Sequence, residues 1–361
     1  MNITKITGYK TTIPLKESFG YFTASLTHLP YVCVVLETDE ELIGVGEAAL
    51  AWDVTGETQA GALACIDLAR PMLAGSSIET IEDVKKIIEQ VSIALYANTA
   101  LKTGIESALL DILGQHLHLP IHAILGGKEK EYVILQRTFS FEEIASDKIV
   151  LAKDAYARGA RTFKYKVGKN WKKELDVIYD VRSMYPDITI TLDANQAWDT
   201  VELARNFLEK VEGANISWIE QPLHAPDIEG LALLRHQCSI PVMADESCHT
   251  LRDLKILQSL NAIDLVNLKL AKCGGLFELV RMIDFCEVHA IRYALGDMLH
   301  SSIGTAYNLH AATLGNFATY DLTLPDRIRD DYGEGLMFED YRAYIPKSPG
   351  LGARPKNKMF I

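Results

Sequence analysis

Polar and apolar positions alternate over Ile3 to Pro14 and over Tyr31 to Thr38, the spacing of strands with one buried face. Thr58 to Leu73, Ile81 to Gln90 and Ala100 to Leu117 instead carry the 3.6-residue periodicity of helices. Strands followed by helices predict an α+β unit over residues 1–125, ending near Leu125-Gly126-Gly127-Lys128. From Tyr132 the rhythm changes to short β-rich runs, each followed by a charged amphipathic helix. The runs are Tyr132 to Thr138, Thr162 to Val167, Ile188 to Asp193, Ile216 to Glu220, Ile240 to Ala244, Leu265 to Leu270, Ile291 to Gly296 and Phe317 to Asp321. Repeated βα units of this kind build a parallel sheet, and eight strands suffice to close a barrel. The expected fold is α/β: a modified TIM barrel, (β/α)7β, over 126–325 with an α+β capping domain. Residues 326–361 hold no further βα unit and are expected to return to the cap.

The polar or small residues that end these runs, Thr138, Lys166, Asp193, Glu220, Asp245, Lys269, Gly296 and Asp321, recur every 24 to 28 residues. Because the unit length barely varies, all eight ends are expected at one rim. In barrels of this kind the carboxyl-terminal rim holds the active site.

Composition narrows the class. The 361 residues are 48% apolar and 23% charged, an ordinary globular balance with no low-complexity run. A formal net charge of -12 argues against a nucleic-acid partner, which would need clustered Lys and Arg. No apolar run reaches membrane-spanning length and the first residues do not resemble a leader, so a cytoplasmic protein with no membrane partner is expected. Cys33, Cys65, Cys238, Cys248, Cys273 and Cys286 form no CxxC pair and read as free thiols.

The chemistry sits at the predicted rim. Asp193, Glu220 and Asp245 end three successive strands, and carboxylates so crowded force protonation of one of them or recruit a cation. All-oxygen donors suit a hard ion such as Mg²⁺. In Lys164-Tyr165-Lys166 alternation puts both lysines on one face, with Tyr165 on the other. Lys269 shares a face with Asn267 on the sixth strand, four staves from Lys166. Lys272 reads as part of the following turn, where Gly274-Gly275 would let a backbone approach the ligand closely.

These residues resemble the enolase superfamily, and within it the muconate-lactonizing-enzyme-like subgroup. The resemblance rests on Lys164-x-Lys166, Asp193-Ala194-Asn195, Glu220-Gln221-Pro222, Asp245-Glu246-Ser247 and Asn267-x-Lys269 with Gly274-Gly275, and it covers essentially the whole chain. It implies Asp193, Glu220 and Asp245 as Mg²⁺ ligands, with Asn195 and Glu246 supporting them. It also implies Lys166 and Lys269 as acid/base groups, and Lys164 as a cation that helps hold the charge of an enediolate formed when the proton α to a substrate carboxylate leaves. A small-molecule carboxylate is the implied partner and a homo-oligomer the implied assembly.

Within the subgroup the chain looks most like dipeptide epimerases, through Lys166-Val167-Gly168-Lys169, the stretch Asp53 to Thr58 and Pro349-Gly350-Leu351-Gly352. Epimerisation or racemisation of a dipeptide or related amino-acid derivative is therefore expected. The same site in the subgroup also serves cycloisomerases, o-succinylbenzoate synthases with N-succinylamino acid racemase activity, amino-acid betaine epimerases and hydroxy-acid dehydratases; a non-catalytic binding protein on a retained barrel is a further alternative. Two departures bear on the substrate. The eighth strand ends Asp321-Leu322-Thr323 where those epimerases have Asp-x-Asp for an ammonium, and the seventh is followed by Asp297-Met298-Leu299-His300 where a glutamate is common. Thr138, Asp297, His300, Asp321 and Thr323 are the expected substrate contacts. Tyr21, Phe22 and Trp52, read as residues of aromatic loops, are expected to close over the mouth.

Overall fold

The computed structural model describes residues 1–21, 25–141, 145–168 and 171–356. Its first unit is an antiparallel meander of β1 (Ile3–Gly20), β2 (Ser25–Thr38) and β3 (Ile43–Ala49), followed by α1 (Gln59–Leu73), α2 (Ile81–Ala94), α3 (Thr99–Leu117) and the single turn α4 (Ile121–Ile124). β1 does not stop at Pro14. A register shift between Pro14 and Phe19 lets it continue to Gly20, where it pairs with Ser25, so the expected loop around Ser18 is the end of a long hairpin arm.

β3 carries no alternation legible in the sequence because its chain is Ile43-Gly44-Val45-Gly46-Glu47. Those glycines are there for α3. A Cβ at Gly46 would stand 2.0 Å from the Gly104 carbonyl oxygen, and one at Gly44 would stand 2.1 Å from that of Ala108. The helix thus lies directly on the sheet, and its residues from Ala100 to Gly114 are nearly all buried, between sheet and barrel.

Beyond β4 (Tyr132–Ile134) the chain enters the second unit: β5 (Arg137–Phe139), α5 (Ala145–Ala157), β6 (Thr162–Lys166), α6 (Trp171–Met184), β7 (Thr189–Asp193), α7 (Val201–Val211) and β8 (Ile216–Glu220). It continues with α8 (Ile228–Gln237), β9 (Val242–Ala244), α9 (Leu251–Ser259), β10 (Leu265–Leu268), α10 (Leu270–Cys273), α11 (Leu276–Val288), β11 (Arg292–Gly296), α12 (Ser302–Ala311) and β12 (Tyr320–Asp321). The eight strands from β5 to β12 form one parallel sheet in sequence order. An isolated bridge between Leu135 and Tyr320 joins its two edges, giving a nearly closed (β/α)7β barrel.

The first barrel run was drawn as one strand over Tyr132 to Thr138 and is two. β4 pairs with the tail strand β13 (Arg342–Tyr344), and only β5 is a stave. The tail also packs on the cap: Asp111 on α3 accepts from the Leu351 amide at 2.8 Å, and the Ile121 amide donates to the Gly350 carbonyl at 3.1 Å. No helix among the described residues is long and apolar enough to cross a membrane.

Candidate active site

Register places the chemistry. Lys166, Asp193 and Glu220 are successive Cα partners across β6, β7 and β8, so their side chains rise from adjacent staves at one level. Asp245 follows β9 immediately. The turns that leave these ends are constrained: Asn195, Gln196 and Gln221 all hold positive φ, at 42°, 69° and 36°, a cost of about 1–3 kcal/mol each that folds concentrate at functional sites. Gln221 uses its position to brace the next stave, its Oε1 accepting from the amides of Asp245 at 2.9 Å and Ser247 at 3.0 Å.

The lysines on β6 face inward, while Tyr165 stacks outward on Phe139 with ring centroids 4.6 Å apart. Lys164 is enclosed by three carboxylates, at 2.5 Å from Asp321, 3.0 Å from Glu220 and 3.3 Å from Asp193. Burial alone would lower its pKa, but these anions outweigh burial and hold it well above the usual value. Lys166 donates to Asp193 at 2.7 Å and to the Asn195 amide oxygen at 2.6 Å. Opposite them on β10, Asn267 donates to Glu220 at 2.7 Å, and beyond it Lys269 donates to Asp245 at 2.7 Å. Lys269 is likewise raised: burial opposes its charge, and Asp245 and Glu220 outweigh burial.

Lys272 departs from expectation. It lies not in the turn but in α10, 1% exposed, with its ammonium on the Asp245 carboxylate at 2.6 Å and on the carbonyls of Asp245 and Asn267 at 2.6 and 2.9 Å. Burial favours the neutral form of Asp245, yet Lys269 and Lys272 together keep its pKa well below the usual range. The glycines after α10 do not await a ligand either. A Cβ on Gly275 would stand 2.3 Å from Glu106 of α3, so the close approach there is that of the cap helix.

One cavity is lined by Lys164, Lys166, Asp193, Asn195, Asp245, Glu246, Lys269, Asp297, Asp321 and Thr323, with Thr138 beside them. Phe19, Tyr21, Leu26, Ala51 and Val54 of the cap close over it. Glu220 is not part of the lining; it lies beneath, joined to Lys164 and Asn267. Thr138 donates to Asp321 at 2.8 Å, and Tyr21 donates to Asp53 at 2.7 Å. Trp52 does not join the lid: it is 64% exposed and outside the lining, which its neighbours Ala51 and Val54 supply. Phe22 and Lys169 lie outside the described residues.

His300 is also elsewhere. It is 3% exposed, does not line the cavity, and sets Nδ1 at 2.9 Å from Glu47 of β3. Glu47 further accepts from the Ser301 amide and hydroxyl and from Tyr332 at 2.6 Å, so it joins cap, barrel and tail. The His300 amide donates to Thr323 Oγ1, whose hydroxyl donates to Asp297 at 2.6 Å. Glu47 escaped notice in the sequence because the glycines that admit α3 hide its strand.

The donors suit the metal that the resemblance implies. Asp193, Glu220 and Asp245 offer only oxygen, as a hard cation requires. Burial, then the Asp193 charge, pushes Glu220 up to about 7. Desolvation of its carboxyl, then the Asp245 and Asp193 charges, push the half-buried Glu246 up to about 8, and its Oε2 has no partner among the described residues. Among the described residues no three acidic, His or Cys side chains stand close enough as placed to enclose an ion, the lysine ammonium groups lying between the carboxylates.

Residues 149–359 match the enolase C-terminal domain-like family and residues 4–126 the mandelate racemase / muconate lactonizing enzyme N-terminal domain. The chain is 32% identical to an N-succinyl-L-Arg/Lys racemase of Bacillus cereus, over 98% of its own length and 95% of that protein's. It is also 32% identical to an L-Ala-D/L-Glu epimerase of Clostridium acetobutylicum, over 94% and 95%. The crystal structure of a dipeptide epimerase from Cytophaga hutchinsonii, complexed with Mg and the dipeptide D-Ala-L-Val, aligns at a TM-score of 0.91 and 30% identity, covering 100% of this chain and 98% of that one. With its barrel rim, its two domains and these relatives in agreement, the chain belongs to the mandelate racemase / muconate lactonizing enzyme family of the enolase superfamily.

Proposed function

We propose that this chain is a Mg²⁺-dependent epimerase or racemase that moves the proton α to the carboxylate of a dipeptide or related amino-acid derivative. The observation that carries the reading is the pair Lys166 and Lys269, on strands four apart in the sheet of eight and lining one cavity. Asp193, Glu220 and Asp245 would hold the ion, with Asn195 and Glu246 beside them. When bound, the ion supplies positive charge that binds the substrate carboxylate and offsets the three ligands, which frees Lys166 and Lys269 from them.

The chain's own groups then divide the work. One lysine, neutral, takes the α-proton on its Nζ; the opposite one, as an ammonium, gives a proton to the other face of the same carbon, so configuration inverts and each lysine ends in the other's starting state. Lys164, kept cationic by Asp193, Glu220 and Asp321, stands where charge develops on the carboxylate. Phe19, Tyr21, Leu26, Ala51 and Val54 of the cap exclude water from the mouth.

A second reading, an N-acylamino acid as substrate, is favoured by Thr323. It stands where a dipeptide's ammonium would meet a second carboxylate, and Asp321 is already engaged by Lys164 at 2.5 Å. Proton NMR in D₂O with Mg²⁺, over panels of dipeptides and N-acylamino acids, tests the reaction with Lys166→Ala as control. Lysine-dependent α-exchange giving both epimers is expected. A product of altered connectivity would move the protein to the cycloisomerases or lyases, and no exchange across both panels would overturn the proposal.

A further inference from the structure

Asp297 differs from the cavity's other carboxylates in what it touches. Asp193, Asp245 and Asp321 each have an ammonium within ion-pair distance, and Glu246 faces the Asn195 amide beside the metal ligands. Asp297 has only neutral donors: the Leu299 amide at 3.0 Å on Oδ1, and the Thr323 amide and hydroxyl at 2.7 and 2.6 Å on Oδ2. Among the described residues no lysine or arginine forms an ion pair with it. Burial raises its pKa; the nearby His300 ring and the Thr323 and Leu299 hydrogen bonds offset that only in part, and His300 is itself engaged by Glu47.

Its place in the cavity indicates what would supply the rest. Asp297 follows Gly296, where a Cβ would come within 3.0 Å of the Lys269 Cε, so it begins on the Lys269 flank of the reacting carbon. Past it the lining is mostly apolar, with Met298, Leu299, Leu322 and Leu324 from the barrel and Leu26 and Val54 from the cap; Arg327 also lines it, with its guanidinium on the Thr138 carbonyl at 2.6 Å and over the Phe19 ring. Its orientation is fixed from outside the cavity: Glu47 holds His300 and Ser301, the His300 amide donates to Thr323, and Thr323 grips Asp297. A buried anion, held rigidly at the edge of an apolar wall, is built for a cation carried on an aliphatic stem.

We propose that Asp297 is a specificity-determining residue that binds a cationic nitrogen of the substrate set several bonds from the α-carbon. The inference rests on the α-proton reaction proposed above and names the substrate class for that site. Such a nitrogen comes from one of two sources, a basic side chain or the free amino terminus of a dipeptide, and paired analogues that differ only by that amino group separate them.

The test measures α-proton exchange for two pairs: Nα-acetyl-lysine against Nα-acetyl-norleucine, and alanyl-norleucine against N-propionyl-norleucine. The wild-type enzyme should prefer the cationic member of at least one pair by about tenfold or more in kcat/KM, mostly through KM, because a site built around a buried polar group rejects the analogue that leaves it unpaired. The responding pair identifies the source. Asp297→Asn, which keeps an oxygen for the Leu299 amide, should bring that ratio close to one. Exchange without preference in either pair, or a preference that survives Asp297→Asn, overturns the inference and leaves the reaction standing. No exchange with any of the four removes the reaction and this inference with it. The wild-type comparison decides even if the variant folds poorly.

Discussion

The two flanks of the barrel mouth each carry two buried lysines, but they are built differently. On β6 the pair is separated by one residue and shares a strand face, so Lys164 and Lys166 both reach Asp193. On the β10 side Lys269 and Lys272 are separated by two residues, one at the strand end and one on the turn of α10, and both converge on Asp245. In each pair one lysine is saturated and one is not. Lys164 has three carboxylates and Lys272 has a carboxylate and two carbonyls, whereas Lys166 has one carboxylate and an amide oxygen, and Lys269 only Asp245. The saturated members are fixed cations. The lightly held ones have the freedom that proton transfer needs.

The largest expected effect follows from that division. Lys166→Ala and Lys269→Ala should each lower epimerisation by roughly a hundred- to ten-thousand-fold in both directions alike, while solvent exchange of the α-proton is lost unequally. Exchange measured separately on each enantiomer should show one variant blocked on one enantiomer and the other variant on its mirror image. Equal losses on both enantiomers in both variants would break the assignment of one lysine to each face.

Lys272→Met sharpens the contrast on the second flank. It leaves the Asn267 carbonyl without its ammonium and the buried Asp245 carboxylate with Lys269 alone, and breaking a buried pair costs up to about 3–5 kcal/mol. Denaturant unfolding should show that loss, accompanied by weaker Mg²⁺ dependence of activity. Unchanged stability would mean Lys272 is not the brace its contacts describe.

How much of this was legible in the sequence depended on whether the determinant was local. Strand alternation and the 24- to 28-residue recurrence of strand ends placed Lys164, Lys166, Asp193, Glu220, Asp245 and Lys269 at one rim, because register is a property of the repeating unit. Lys272 was misread because a buried lysine three residues past another has no local signature; its partners lie on β10 and at Asp245. His300 was misread for the same reason, since Glu47 lies 253 residues away in sequence. Trp52 is aromatic and near the mouth in sequence, but nothing local says which of Ala51, Trp52 and Val54 turns inward.

The second flank is also the one tied to the cap, and that link should respond to pH. Glu106 of α3 binds the Leu276 amide at the start of α11 and accepts from Tyr307 at 2.6 Å. Burial pushes its carboxyl up to about 7. A carboxyl raised above its unfolded value of about 4.3 contributes stability that is full below that value and is lost as pH rises through 7. The difference corresponds to about 3–4 kcal/mol at most. Tm followed from pH 5 to pH 8 should fall less steeply in Glu106→Gln than in the wild type, and parallel slopes would remove Glu106 from the account.

The smallest effect bears most directly on the asymmetry. Thr103 of α3 donates to the Leu270 carbonyl at 2.7 Å, one residue past Lys269, and so holds the start of α10 against the cap. The β6 flank has a local brace instead, the Gly168 amide donating to Glu174 at 2.9 Å within the same βα unit. Thr103→Val keeps the shape and removes the hydroxyl that lies on the carbonyls of both Leu270 and Thr99, at a cost of about 1 kcal/mol in stability. If the cap positions Lys269 through α10, proton transfer by Lys269 should slow while transfer by Lys166 holds, so exchange on one enantiomer should fall relative to the other. A loss of stability with the enantiomer ratio unchanged would show that the joint between cap and barrel only holds the two units together and does not position the base.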